Sequence, residues 1–346
     1  MVITMPKQIH NQLDIIKRLD ELIAQSEREV DELLGKRLKE ILATLSNMYS
    51  KFVKSDESSY TDLNKYNRLS KELERIAQQL NADYTQIVKD IEASQQRIYV
   101  EQYLLAAYLF QVYQGTEDGF TLPSEDVIAA ALVNPIEFLQ LRGVLEVHRN
   151  EIIRKIQIEV SQSLLAGEGY WKMAKRIENA VGFSQNRART VARTEGARAM
   201  SLADEAVTEE MRKYTDIECL WLSTLDKRIR HQHRKLDGQR ADKEGYFHFK
   251  GMKAKGPTMW NVAHMDINCR CVKIKLIDGQ LPGVRRGRDY KDAKYQKRLA
   301  DKIDEYMKKG HAYAKAYQKA DEEIQPPNKV TSYITYEEWE RKQKST

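Results

Sequence analysis

This 346-residue sequence has little of what a secreted or membrane-spanning protein needs. It holds three cysteines, Cys219, Cys269 and Cys271, and two of them form a Cys-x-Cys pair whose geometry disfavours a mutual bond. That excludes a disulfide framework and points to a reducing compartment. The first ten residues lack a basic start followed by an apolar run, so no signal peptide is expected. The most apolar window, residues 99–112, contains Glu101 and Gln102 and is too short to cross a bilayer, so no membrane partner is expected. Seven prolines and 16 glycines are few for a turn-rich β architecture. Several catalytic signatures are missing as well. There is no His-Glu-x-x-His, no His-x-Glu with a later Pro-Cys-x-x-Cys, and no glycine-rich phosphate loop. No internal repeat of fixed period is visible.

What the sequence does have is helix. Hydrophobic residues make up 41%, charged residues 31%, and the mean hydropathy is −0.65, which suits long exposed helices better than one large core. Leu34, Leu38, Ile41, Leu45, Met48 and Phe52 recur at spacings of four and three. After a polar break at residues 54–59 the pattern resumes with Leu63, Tyr66, Leu69, Leu73, Ile76, Leu80, Tyr84, Ile87 and Ile91. Such spacing lines one helical stripe, whose partner is either another helix of the chain or another subunit. Residues 99–113, apolar nearly all round, read as a buried helix. Ser124 is the expected N-cap of the next one, and Asn134-Pro135 breaks it. Further helices are expected at 137–165, closed by Gly167, and at 170–181 and 184–213.

The texture changes near residue 216. Short β-branched or aromatic runs at 218–224, 245–249 and 271–277 are bounded by turn signals such as Asp237-Gly238 and Asp278-Gly279. The expected fold is therefore mainly α: an extended helical N-terminal region, a small α+β domain and a basic C-terminal helix. The expected divisions are 1–150, a helical lead-in at 151–215, the small domain at 216–284, and a basic helix with a flexible tail at 285–346.

The small domain concentrates the chemistry. Two thiols and several imidazoles match the ligand set of a tetrahedral Zn2+ site. His233, Cys269 and Cys271 are the first candidates, then His264, then His231. A metal closing a loop of about thirty residues would stabilise a domain too small to rely on its core. The alternative is that the cysteines are small buried hydrophobes and the histidines are solvated. Asp226 and Asp237 could orient an imidazole, or, with Gly238, simply form turns.

The charge of +6 is uneven. Residues 285–319 carry 12 Lys and Arg against 5 Asp and Glu, a net of +7, leaving the remainder near −1. Arg285, Arg286, Arg288, Lys291, Lys294, Lys297 and Arg298 are interleaved with tyrosines and are the candidates for an anionic partner. Lys and Arg there could neutralise phosphates without reading bases, since no base-reading motif accompanies them. The alternative is a solvated amphipathic helix.

The segments Arg193-Thr194-Glu195, Trp221 with Thr224, Asp226-x-Arg228, His233-x-x-x-Asp237-Gly238 and Asn268-Cys269-Arg270-Cys271 occur in that order. Leu164-Leu165-Ala166-Gly167 and Met173-Ala174-x-x-Ile177 precede them. Over residues 151–277 this resembles the phage Mu F-like and SPP1 gp7-like minor head, or head-morphogenesis, proteins. The resemblance implies a virion protein inside the capsid, present in the host cytoplasm during assembly. The non-enzymatic expectation comes from the missing catalytic signatures, since some related domains are carried on toxins. It implies contacts with the portal protein and with the major capsid or scaffold protein. It also implies a part in packaging or ejection, with genomic DNA as a non-sequence-specific partner. The rival reading is a metal-dependent hydrolase or toxin-like effector delivered with the genome. It needs a zinc with an open coordination position. A third is a free cytoplasmic DNA-binding protein.

Overall fold

The computed structural model describes residues 9–52, 68–115, 119–134, 140–166, 168–276 and 279–344. The polar break at 54–59, Leu63, Tyr66, Pro135, Gly167 and Asp278 lie outside them. The chain divides into two compact units, residues 1–213 with 261–269, and residues 214–260 with 270–346.

The first unit is built from α1 (Gln12–Phe52), α2 (Arg68–Gln114), α3 (Glu125–Leu132), α4 (Leu141–Leu165) and α5 (Tyr170–Met211). Asn11 starts α1 by accepting the N–H of Leu13 at 2.9 Å, and Ser124 accepts that of Val127 at the start of α3. The apolar stripe finds its partner within the chain. Leu34, Ile41 and Leu45 of α1 share one buried cluster with Leu80, Ile87 and Ile91 of α2, Ile152 and Ile156 of α4, and Met173 and Ile177 of α5. Two elements are longer than the sequence suggests. Residues 99–113 are the last turns of α2, and the expected pair of helices at 170–181 and 184–213 is the single α5. Gly182 sits inside α5, where a glycine costs about 1 kcal/mol against alanine. That is too little to break a helix buried on both sides of it. Gly196 earns its place through close approach: a Cβ there would lie 2.9 Å from Cγ1 of Ile23 in α1.

Arg193 and Glu195 point to different neighbours, as their spacing requires. Arg193 pairs with Glu27 at 2.7 Å, while Glu195 pairs with Arg198 and accepts from Gln95, both at 2.7 Å. Arg189 reaches Asp31 at 3.3 Å. The arginines of this strip hold α5 to α1.

Among its described residues the second unit has three small antiparallel sheets. Strand β1 (Glu218–Leu222) pairs with β4 (Val272–Leu276), with Trp221 opposite Lys273. Strands β2 (Phe247–Phe249) and β3 (Met252–Ala254) form a hairpin. Strand β5 (Val284–Arg288) pairs with β6 (Asn328–Ser332). Helix α6 (His231–Leu236) follows β1, and α7 (Ala263–Asp266), counted with the first unit, precedes the Cys-x-Cys pair. The core of this unit is aromatic: Trp221, wholly buried, meets Phe247, Trp260 and His233 with centroids 5.3–6.1 Å away.

The basic end departs from expectation. Residues 285–288 are strand, and the helix is two helices, α8 (Ala293–Lys308) and α9 (Tyr313–Glu323), broken at Gly310 with φ +87°. The expected tail is folded as well. Residues 328–332 complete a sheet, and α10 (Tyr336–Lys344) packs Tyr336 and Trp339 against Leu225 and Ile229. Its two buried aromatics outweigh the low local hydrophobicity that made it read as free.

Candidate metal centre

The candidate site grows from the turn after β1. Strand β1 delivers Ser223, and the backbone then folds into α6, which turns His233 inward to 1% exposure. Asp237 and Gly238 close α6, with Gly238 at φ +79°, and its N–H returns to the Trp221 carbonyl at 2.9 Å. The other side comes from the Asn268-Cys269-Arg270-Cys271 run. Asn268 is left-handed, φ +56°, and donates its N–H to Thr194 Oγ1 at 3.1 Å. Thr194 in turn donates to the Thr190 carbonyl at 2.7 Å, so the Arg-Thr-Glu motif anchors the turn that leads into the cysteines.

His233, Cys269 and Cys271, all buried, each present a ligand atom, and these atoms lie within 4.8 Å of one another. His233 Nδ1 is 3.2 Å from Cys271 Sγ. Ligand atoms of a tetrahedral zinc, bound at about 2.0–2.3 Å, stand roughly 3.3–3.8 Å apart. Two thiolates and an imidazole are the donors that such a borderline metal prefers, so this His/Cys/Cys group can hold a metal ion. The other two candidates are not drawn in. His231 and His264 are both exposed, and neither joins the group. Alternation along α6 explains the first: His231 and His233, two apart, face different sides of a helix.

The two aspartates serve arginines rather than imidazoles. Asp226, its side chain 2% exposed, accepts from Arg270 at 2.7 Å, from the Arg228 N–H at 2.8 Å and from the Tyr290 hydroxyl at 2.9 Å. Burial pushes its carboxyl up, but Arg270, those two hydrogen bonds and Arg288 outweigh burial and hold it below the usual range. Burial, with Asp226 beside it, raises the Tyr290 phenol. Asp237 accepts from Arg285 at 2.6 and 3.0 Å, from the Ser223 N–H at 2.8 Å and from the Tyr336 N–H at 2.7 Å.

These partners correct the list of candidate anion contacts. Arg285 is wholly buried against Asp237. Arg286 donates to the Arg270 carbonyl, and Arg288 to that of Pro326. Strand alternation sends Arg285 to the buried face, where Asp237 holds it, and sends half-buried Arg286 and Arg288 to the other face, where Arg288 lies 3.8 Å from Asp226. Lys291, Lys294, Lys297 and Arg298 are exposed. Arg228 is half-buried and donates to the Ile324 carbonyl at 2.9 Å. Sequence reading missed Ser223, Tyr290, Tyr336 and Trp260. Only the last is conspicuous by residue type, and none stands at a diagnostic spacing.

Comparison with known proteins gives these residues a context. The family described as Phage Mu protein F like protein matches residues 154–274, a span that holds every motif from Arg193 to Cys271. The chain is 36% identical over 337 residues to the minor head protein GP7 of Bacillus phage SPP1, covering 97% of this chain and 98% of that protein. It is 27% identical over 293 residues to a protein of Enterococcus faecalis named NAD(+)–arginine ADP-ribosyltransferase EFV, covering 83% of this chain and 60% of that one. A Haemophilus influenzae protein described only as uncharacterized matches over 132 residues at 28% identity, 38% of this chain and 26% of that one. No solved structure matches. With likeness at this level running nearly end to end, the chain belongs to the phage Mu F-like, SPP1 GP7-like family of minor head proteins.

Proposed function

We propose that this chain is a minor head protein of a tailed bacteriophage, acting in head assembly and carried in the virion. The observation that carries the proposal is the end-to-end likeness to a minor head protein, which includes both units rather than the motif region alone. The first unit offers long helices for docking to the portal protein and to capsid or scaffold subunits. We read α6 and the Cys-x-Cys run as held together by a zinc ion on His233, Cys269 and Cys271. When bound, the ion would supply cross-linking of two distant stretches of chain, and the aromatic core would shield it from water. Lys291, Lys294, Lys297 and Arg298 remain as the exposed group suited to non-sequence-specific contact with genomic DNA.

This reading makes the protein non-enzymatic. The transferase relative extends well past the matched stretch, since 40% of its length lies outside it. One observation favours a second reading, the metal-dependent hydrolase: three protein ligands leave one tetrahedral position open. The test is a phage carrying a nonsense codon in this gene. Heads should assemble defectively or yield non-infectious particles, and in the wild type the protein should co-purify with procapsids at a few copies each. Normal infectious particles without the protein would overturn the assignment.

A further inference from the structure

Arg285 lies beyond the stretch that the family description matches, and nothing in the charge pattern marks it apart from its neighbours. The structure nevertheless buries it completely beside Asp237. Both guanidinium Nη atoms reach that carboxylate, while Nη1 also donates to the Ile334 carbonyl at 2.6 Å and Nη2 to the Ser223 carbonyl. Tyr333 covers the guanidinium, 5.7 Å from ring centroid to Cζ. Asp237 holds the Ser223 N–H at 2.8 Å, so the pair grips Ser223 from both of its backbone polar groups.

Ser223 is the point where this grip meets the candidate metal centre. Its hydroxyl donates to the His233 carbonyl at 2.7 Å, and the Cys271 thiol lies 3.6 Å from the same hydroxyl. Ser223 therefore touches both strands of chain that bring ligands together, and it is 2% exposed.

We infer that Arg285 and Asp237 are positioning residues for the His233–Cys271 ligand pair, acting through Ser223, so that the C-terminal segment is part of the metal centre. The inference rests on the metal-centre reading above. A group fixed by several hydrogen bonds before the ion arrives spares the ion the cost of ordering it. Loss of such supporting contacts typically weakens metal binding about 10–100-fold.

The full chain supplies the test. Zinc affinity is measured by competition with a chromophoric chelator for the wild type, Arg285→Met and Ser223→Ala, with Arg142→Ala as a control on an exposed pair. Arg285→Met should bind zinc about 10–100-fold more weakly, Ser223→Ala less severely so, and Arg142→Ala like the wild type. Because Arg285→Met could fail to fold, Ser223→Ala, which leaves the ion pair intact, carries the test alone in that event. Unchanged affinity in the folded variants would overturn the inference. Alkylation of Cys271 in a Cys219→Ser/Cys269→Ser background gives a metal-free readout. Should the wild type bind no zinc, the metal-centre reading fails. Positioning then stands if Arg285→Met or Ser223→Ala speeds alkylation at least tenfold, and falls if the rate is unchanged.

Discussion

Helix is held to helix in the first unit largely by aliphatic side chains: Leu34, Ile41, Leu45, Leu80 and Ile87 are all at most 2% exposed and belong to one cluster. At the centre of the second unit the corresponding groups are Trp221, His233, Asp226, Asp237 and Arg285. Polar pairs occur in the first unit too, such as Arg37 with Asp83 and Glu195 with Arg198, but they flank an apolar seam. The carboxylates of the second unit instead organise the fold, each fixing backbone N–H groups as well as arginines. An aliphatic seam is cheap to specify and tolerant of substitution. A buried polar network is neither, because each member leaves its partners unsatisfied when removed. The contrast suits a protein whose long helices supply surface and whose small module must keep one arrangement.

The largest effects should separate the two regions. Trp221→Ala should destabilise the second unit by about 3–5 kcal/mol and Leu45→Ala the first by about 2–5 kcal/mol. Tryptophan emission reports chiefly the second unit, which holds Trp221, Trp260 and Trp339, whereas far-ultraviolet dichroism reports the long helices. Each substitution should lower the midpoint of its own signal first. Coincident midpoints in both variants would erase the distinction between the units.

Acid should come next. Asp226 is held below the usual carboxylate range in the folded state, so its contribution is present above the unfolded value near 3.9 and is lost as pH falls through the lower folded value. Below about pH 4 the tryptophan signal of the second unit should change, and Asp226→Asn should remove that part of the pH dependence. The smallest effect belongs to exposed pairs. Arg142→Ala, which breaks a 2.8 Å contact with Glu92 on an arginine 75% exposed, should cost under about 1 kcal/mol by thermal melting.

The same contrast explains what the sequence disclosed. The seam of the first unit was legible because helical periodicity repeats over many turns: among the described residues Leu34, Ile41, Leu45, Met48, Leu69, Ile76, Leu80, Tyr84, Ile87 and Ile91 all fall in the buried cluster. His233, Cys269 and Cys271 were legible by residue type, with His231 ranked last, and the direction of α6 supplies the physical reason for that order. Arg285 was misread because a buried arginine and a solvated one look alike in a basic run, and its partner Asp237 lies 48 residues away. The C-terminal strand and helix were missed for a similar reason. Tyr336 and Trp339 are few, and their value lies in contacts with Leu225, Ile229 and the Asp237 carboxylate that no local pattern records.

Whether a metal ion joins the polar network in holding His233, Cys269 and Cys271 together is open to direct measurement. Elemental analysis of the purified full chain, beside a Cys269→Ser/Cys271→Ser variant, tests this most directly. About one zinc per chain, lost in the variant, is the predicted result. A well-folded wild-type chain without metal would contradict it and leave Cys269 and Cys271 as core residues of a module held by Asp226, Asp237 and their arginines alone.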